Sequence, residues 1–182
     1  MNRREALSSV ALLMGGTLIG MDALLQGCTS SPMKQVIFSA DDIGFLDEIG
    51  DTIIPATDTP GAKAVKIGEF IASMVKDCYD DKQQEIFMDG METFKKLCKE
   101  RTGKPFIENT QAQRFEFLKT LDAEQKARSK NSPHYFRMMK ELTLFGYFTS
   151  EIGATQALRY IETPGHYDGC LPYKKGDKAW AT

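Results

Sequence analysis

Two histidines and four cysteines are few for a 182-residue chain. Two histidines exclude a multi-histidine metal site, although a carboxylate-rich one stays open. There is no Cys-x-x-Cys-His run for covalent haem, and the cysteines are too dispersed for an iron–sulfur centre. No Gly-x-Gly-x-x-Gly occurs, which removes the dinucleotide and flavin fingerprint. A Gly-x-Ser-x-Gly elbow and a phosphate loop are also missing. The net charge of −2 leaves no basic footprint for nucleic acid and no acidic tail. Sustained apolar–polar alternation, internal repeats and low-complexity segments are absent too. What is present is an ordinary globular composition, 42% hydrophobic and 26% charged.

The first 27 residues stand apart from that composition and read as an export signal. Arg3 and Arg4 form a twin-arginine n-region, with Leu7 three residues after the second. The stretch Ser8–Met21 is uncharged over about 14 residues, short of the roughly 20 that a permanent bilayer span needs. A cleaved signal of the twin-arginine type accounts for this, with the general secretory route as the alternative. Leu24-Leu25-Gln26-Gly27-Cys28 resembles a lipobox, which makes Cys28 a lipidation candidate. The other reading is an incidental cysteine beside an ordinary cleavage site. Residues 28–38 then form a tether, and 39–182 a single all-α domain with an irregular C-terminal tail.

Five helices are expected in that domain. Ser39 caps the first, with Asp42 three residues on, and Ile43, Leu46, Ile49, Ile53 and Ile54 make one apolar face. Pro55 ends it, and a turn-rich loop follows. Ile67–Tyr79 is the second helix. Asp80 and Asp81 cap a third from Lys82 to Arg101, which Gly103 closes. Thr110 caps a fourth, with Phe115, Leu118 and Leu121 on one face. The charged run from Asp122 to Asn131 reads as a solvated helix end or a loop. Pro133 suits the first turn of a fifth helix. That helix carries Phe136, Met139, Leu142, Leu144, Phe145, Tyr147 and Phe148, and is apolar on more than one face. Such a helix is central to the bundle or covered by a partner. Ile152-Gly153-Ala154 bends it, helix resumes over Thr155–Ile161, and regular structure ends at Thr163.

Three cysteines remain beyond the tether. In a helical hairpin of the second and third helices, Cys78 sits at the turn. Cys98 then lies roughly 24 Å along the third helix at 1.5 Å per residue, outside disulfide reach. A bridge would therefore use Cys170 with one of the others, and free buried thiols are the alternative. Candidate chemistry is sparse. His166, Asp168 and Cys170, with Tyr167 between, have the residue types of a nucleophilic site. They sit at i, i+2 and i+4 in a segment where Gly165 and Gly169 impose turns, whereas such sites converge from separate elements. A structured turn is the better reading. His134 reads as a surface or cap residue, and Asp47, Glu48 and Asp51 as the solvated side of the first helix.

Four segments carry a resemblance to a known family. They are Asp51–Ala62, Phe70–Tyr79, Lys140–Ala154 (KELTLFGYFTSEIGA) and Pro164–Cys170 (PGHYDGC). In these the chain resembles the gluconate 2-dehydrogenase subunit 3 family, small subunits of bacterial membrane-associated sugar and alcohol dehydrogenases. The likeness spans Asp42 to Trp180. It implies a non-catalytic subunit that binds no cofactor itself. FAD belongs to the catalytic partner, and haem c to a further cytochrome c subunit. It also implies a role in folding, stabilising and exporting that partner, in the periplasm; lipidation of Cys28, read from the lipobox and not from the family, would add a membrane anchor. Phe145, Tyr147, Phe148, Glu151 and Tyr167 are the expected partner-facing residues. The competing readings are a free-standing envelope lipoprotein and an enzyme built on Cys170 and His166.

Overall fold

The computed structural model describes residues 36–128, 133–163, 165–166 and 169–181. Arg3, Arg4, Cys28, Tyr167 and Asp168 lie outside the described residues. Among the described residues five α-helices follow in order: α1 (Ala40–Ile53), α2 (Ile67–Cys78), α3 (Asp81–Thr102), α4 (Gln111–Ala127) and α5 (Tyr135–Thr149). Short 3-10 turns at Ala62–Val65 and Phe106–Glu108 join them, and a π-helical turn at Gly153–Ala157 follows α5. The expected all-α bundle is what the chain forms.

Local chemistry sets most of the helix ends. Ser39, Asp80 and Thr110 each accept a hydrogen bond from the backbone N–H three residues on, and the side chain there answers the cap N–H. Gly103 ends α3 at φ 76°, a conformation that favours glycine, with its N–H donating to the Lys99 carbonyl at 2.9 Å. α2 is started differently. Its cap, Lys66, sits at φ 53° and has no acceptor to offer. The acceptor comes instead from α1, where Asp47 Oδ1 takes the Gly68 N–H at 2.7 Å.

α5 packs against all four other helices. Its inner residues Phe136, Met139, Leu142 and Tyr147 join Leu46 and Ile49 of α1, Ile67, Ile71 and Val75 of α2, and Phe87 and Met91 of α3. Close approach is bought with glycine at two crossings. A Cβ on Gly90 would meet Tyr135 Cβ at 2.1 Å, and one on Gly146 would meet Phe70 at 2.4 Å. Away from α5 the core is aromatic. Phe94 takes Phe45, Phe106 and Phe117 edge-on, each at a centroid distance of 5.1 Å. Such pairs add about 0.5–1.5 kcal/mol each beyond the area they bury.

Several expectations are corrected by the packing. On α4 the inward face is Phe117, Leu118, Leu121 and Gln125, while Phe115 is 55% exposed. Arg114 takes the inward position one turn before Leu118: its guanidinium lies 5.4 Å from the Phe106 ring centre and pairs with Glu48. Glu48 also pairs with Lys63, so it ties α1 to the first 3-10 turn and to α4 rather than facing solvent. The charged run is the mostly exposed end of α4 as far as Ala127, one of the two expected readings, but two of its side chains are engaged with α5. Asp122 holds Lys140 of α5 at 2.7 Å and Lys126 at 2.6 Å, and Gln125 Oε1 accepts from Arg137 at 2.8 Å. His134, not Pro133, marks the start of α5. Helix does not resume to Ile161. Arg159–Tyr160 (β1) instead pairs in parallel with Trp180–Ala181 (β2), two-residue strands too short to leave an alternating pattern. Cys98 is buried, whereas Cys78 and Cys170 are exposed.

Candidate functional site

The last turns of α5 divide the aromatic residues between two environments. Tyr147 points inward, 1% exposed, and its hydroxyl donates to the Pro60 carbonyl at 2.7 Å. It pins the loop after α1 and is not on the surface, contrary to its expected place among partner-facing residues. Leu144, Phe145 and Phe148 point outward, 37%, 54% and 38% exposed. Phe145 leans on Phe70 of α2 at 6.0 Å, and Phe148 meets the Tyr147 ring edge-on at 5.2 Å. The rotamer freedom of the outer residues is thus reduced by contacts with buried or half-buried neighbours. Glu151 is exposed just beyond them.

Ser150 is the pivot that aims this end of the chain. Its backbone leaves the helical region at φ −73°, ψ 158°. Its hydroxyl donates to the Tyr147 carbonyl at 2.6 Å and accepts from the Gly153 N–H at 3.1 Å. One side chain therefore ends α5 and starts the π turn. Gly153 is required at this bend, since a Cβ there would sit 1.8 Å from the Tyr147 oxygen. The turn leads into β1, whose Arg159 lies over the Trp180 ring at 4.0 Å. Lys178 reaches back to the Gln156 carbonyl from just before β2.

The groups singled out as possible chemistry are differently placed. His166 and Cys170 are exposed on the stretch between the two strands. Asp47 and Glu48 are engaged in the α2 cap and the ion pairs given above. Burial opposes the charge of Glu48, but hydrogen bonds from Lys63 and Arg114 outweigh it and hold the carboxyl below its ordinary range. Among the described residues no group of three or more His, Cys, Asp and Glu side chains is placed to hold a metal ion. No helix among them is long and apolar enough to cross a membrane. His134 is a buried cap whose Nδ1 accepts the Phe136 N–H at 3.3 Å. Burial, then the charges of Arg128 and Arg137, lower its pKa, so the imidazole stays neutral and able to accept. A cleft of about 320 Å³ opens beside α1 and α3, floored by Phe45 and Phe106 with Lys99 at its lip. No sequence pattern announced it, because its walls come from three separate elements.

The outward aromatic face of α5 lies inside the part of the chain that matches known proteins. A family model described as Gluconate 2-dehydrogenase subunit 3 matches residues 40–165, which takes in all five helices, the π turn and β1. The segment from His166 to Trp180, part of the resemblance read from the sequence, falls beyond that match. No curated protein and no solved structure matches the chain.

Proposed function

Because this chain belongs to the gluconate 2-dehydrogenase subunit 3 family, we propose that it is the non-catalytic small subunit of a cell-envelope dehydrogenase and grips the catalytic subunit with the outer face of α5. The observation that carries this reading is the exposure of Leu144, Phe145 and Phe148 on a helix whose other side is already core. Exposed apolar side chains that adjoin one another, rather than standing singly, support a protein-binding surface. Tyr167 stays a candidate contact on the strength of the resemblance alone.

In this reading FAD resides in the catalytic subunit, and haem c in a cytochrome c subunit where one is present. The small subunit supplies folding support, stability and passage across the membrane. A leader carrying Arg3 and Arg4 suits a route for folded cargo, so a catalytic subunit lacking its own leader travels bound to this chain. Lipidation at Cys28 holds the assembly at the membrane on the periplasmic side.

The test is to express the catalytic subunit with the wild-type chain, without it, and with the Arg3→Lys/Arg4→Lys chain. The expected result is active dehydrogenase in the envelope fraction only in the first case. Full envelope activity in all three would sink the proposal. Metabolic labelling with a palmitate analogue, comparing wild type with Cys28→Ala, tests the anchor separately.

A further inference from the structure

The exposed apolar face of α5 is small for an interface. A buried aromatic side chain carries about 150–250 Å², so the fractions exposed at Leu144, Phe145 and Phe148 amount to on the order of 250 Å². A standard interface needs about 800 Å² per partner. The aromatic face is therefore the centre of a contact, and the groups around it decide what can be bound.

Those groups are acidic. Glu141 lies one turn before Leu144 and Phe145, and Glu151 lies three residues after Phe148. Both are exposed. Among the described residues neither carboxylate belongs to an ion pair. Lys140, next to Glu141 in sequence, is already committed to Asp122. Glu141 also faces α2: after burial, its charge is the next cause of the raised pKa of Tyr79.

This arrangement separates the possible occupants. A second copy packed across a two-fold axis would set Glu141 of one chain toward Glu151 of the other, like charge on like. A bilayer surface rich in anionic lipid attracts Lys and Arg and repels carboxylates. A protein surface with an apolar recess bordered by Lys or Arg gains at the centre and at both ends.

We infer that the α5 face is built for a recess of that kind on the catalytic subunit, with Phe145 and Phe148 filling it and Glu141 and Glu151 meeting basic residues at its rim. The inference rests on the subunit reading above and deepens it. Aromatic anchors at the centre govern how slowly the pair separates, and the rim charges govern how fast it forms.

The experiment measures association and dissociation rates between the full chain and the separately purified catalytic subunit, at about 50 and 500 mM NaCl. The variants are Glu141→Lys/Glu151→Lys and Phe145→Ala/Phe148→Ala, with melting curves confirming that both fold. Charge reversal is expected to slow association about tenfold at low salt, and the difference is expected to shrink to under about threefold at high salt. The phenylalanine pair is expected to speed dissociation more than about tenfold at both. Association untouched or quickened by charge reversal overturns the inference and leaves the subunit reading standing; dissociation indifferent to the phenylalanines overturns the inference and removes α5 as the grip, while the chain's place as a small subunit stands. Failure of the wild-type chain to associate removes the subunit reading and this inference with it. A dimer of the chain alone, or capture on phosphatidylglycerol vesicles, that is abolished by Phe145→Ala/Phe148→Ala assigns the face to those occupants instead and overturns the inference.

Discussion

Replacing Tyr147 by phenylalanine removes one oxygen atom and leaves the ring in place, which makes it a sensitive probe of how α5 is divided. The hydroxyl spans 87 positions of sequence to the Pro60 carbonyl at 2.7 Å. Losing such a bond costs about 0.5–1.5 kcal/mol net, and more if the acceptor stays dry. Pro60 is only half-buried, so water can take over part of the acceptor and a loss of about 1 kcal/mol is expected. In a domain of this size that lowers Tm by about 2–4 °C. Tyr147→Ala also empties the ring site, at about 3–5 kcal/mol. Phe145→Ala, whose side chain is 54% exposed, should stay within about 1 kcal/mol of wild type. Urea denaturation followed by circular dichroism measures all three, with the slope unchanged and only the midpoint moved. The same proteins are then tested for capture of the catalytic subunit. Tyr147→Phe should lose stability and keep binding, and Phe145→Ala should do the reverse. A Tyr147→Phe protein as stable as wild type, or one that loses binding while fully folded, would refute the division of the helix into inner and outer faces.

Three further predictions concern the frame that holds that face. Hydrogen bonds from Lys126 and then Lys140 hold Asp122 at about 2, below its ordinary 3.8. A depressed carboxyl stabilises fully above the unfolded value and loses that stabilisation as pH falls from about 4 to about 2. Screening around the exposed Lys126 amine leaves about 1–2 kcal/mol of it. Asp122→Asn should be less stable by that amount at pH 7 and should show a flatter stability curve between pH 4 and 2 in urea titrations. Asp47→Ala removes the side chain that caps the start of α2 and should cost about 1 kcal/mol, with Asp47→Asn recovering part of it; equal midpoints for wild type and Asp47→Ala would count against the cap. Gly90→Ala forces a methyl group into the Tyr135 side chain. The expected loss is about 1–3 kcal/mol from overpacking, set against up to about 1 kcal/mol of improved helix propensity, and calorimetry that finds a raised Tm would contradict the close crossing of α3 and α5.

Helix boundaries were readable where the deciding interaction is local. Ser39, Asp80 and Thr110 each act within three residues, and Gly103 acts through its own backbone. The start of α2 at Ile67 was readable from its apolar stripe, but its cap was not, because the group that satisfies it is Asp47, 21 positions earlier. The run after Leu121 looked solvated because its charges have no local apolar company; its partner Lys140 sits on another helix. Arg114 misled in the opposite sense, since a spacing argument gives an inward position to a hydrophobe and not to an arginine that covers a phenylalanine and meets a half-buried acid. At the site, the excess of large apolar residues on α5 was visible as composition. The assignment of each to a face was not. Tyr147 and Phe148 are neighbours in sequence, and only the distant Pro60 carbonyl explains why the one with a hydroxyl is inside.

The pairing of β1 with β2 also gives the protein an optical probe of its own. Trp180 is the only tryptophan in the chain, half-exposed in β2 beneath the Arg159 guanidinium. Intrinsic fluorescence therefore reports the far end of the chain, while circular dichroism at 222 nm reports the helices. If the strand pair opens before the bundle melts, the two signals part on heating. If they change together, the clasp and the bundle are one cooperative unit. The clasp follows directly from the turn that ends α5, so the emission of this indole reports whether the chain beyond that turn keeps its place.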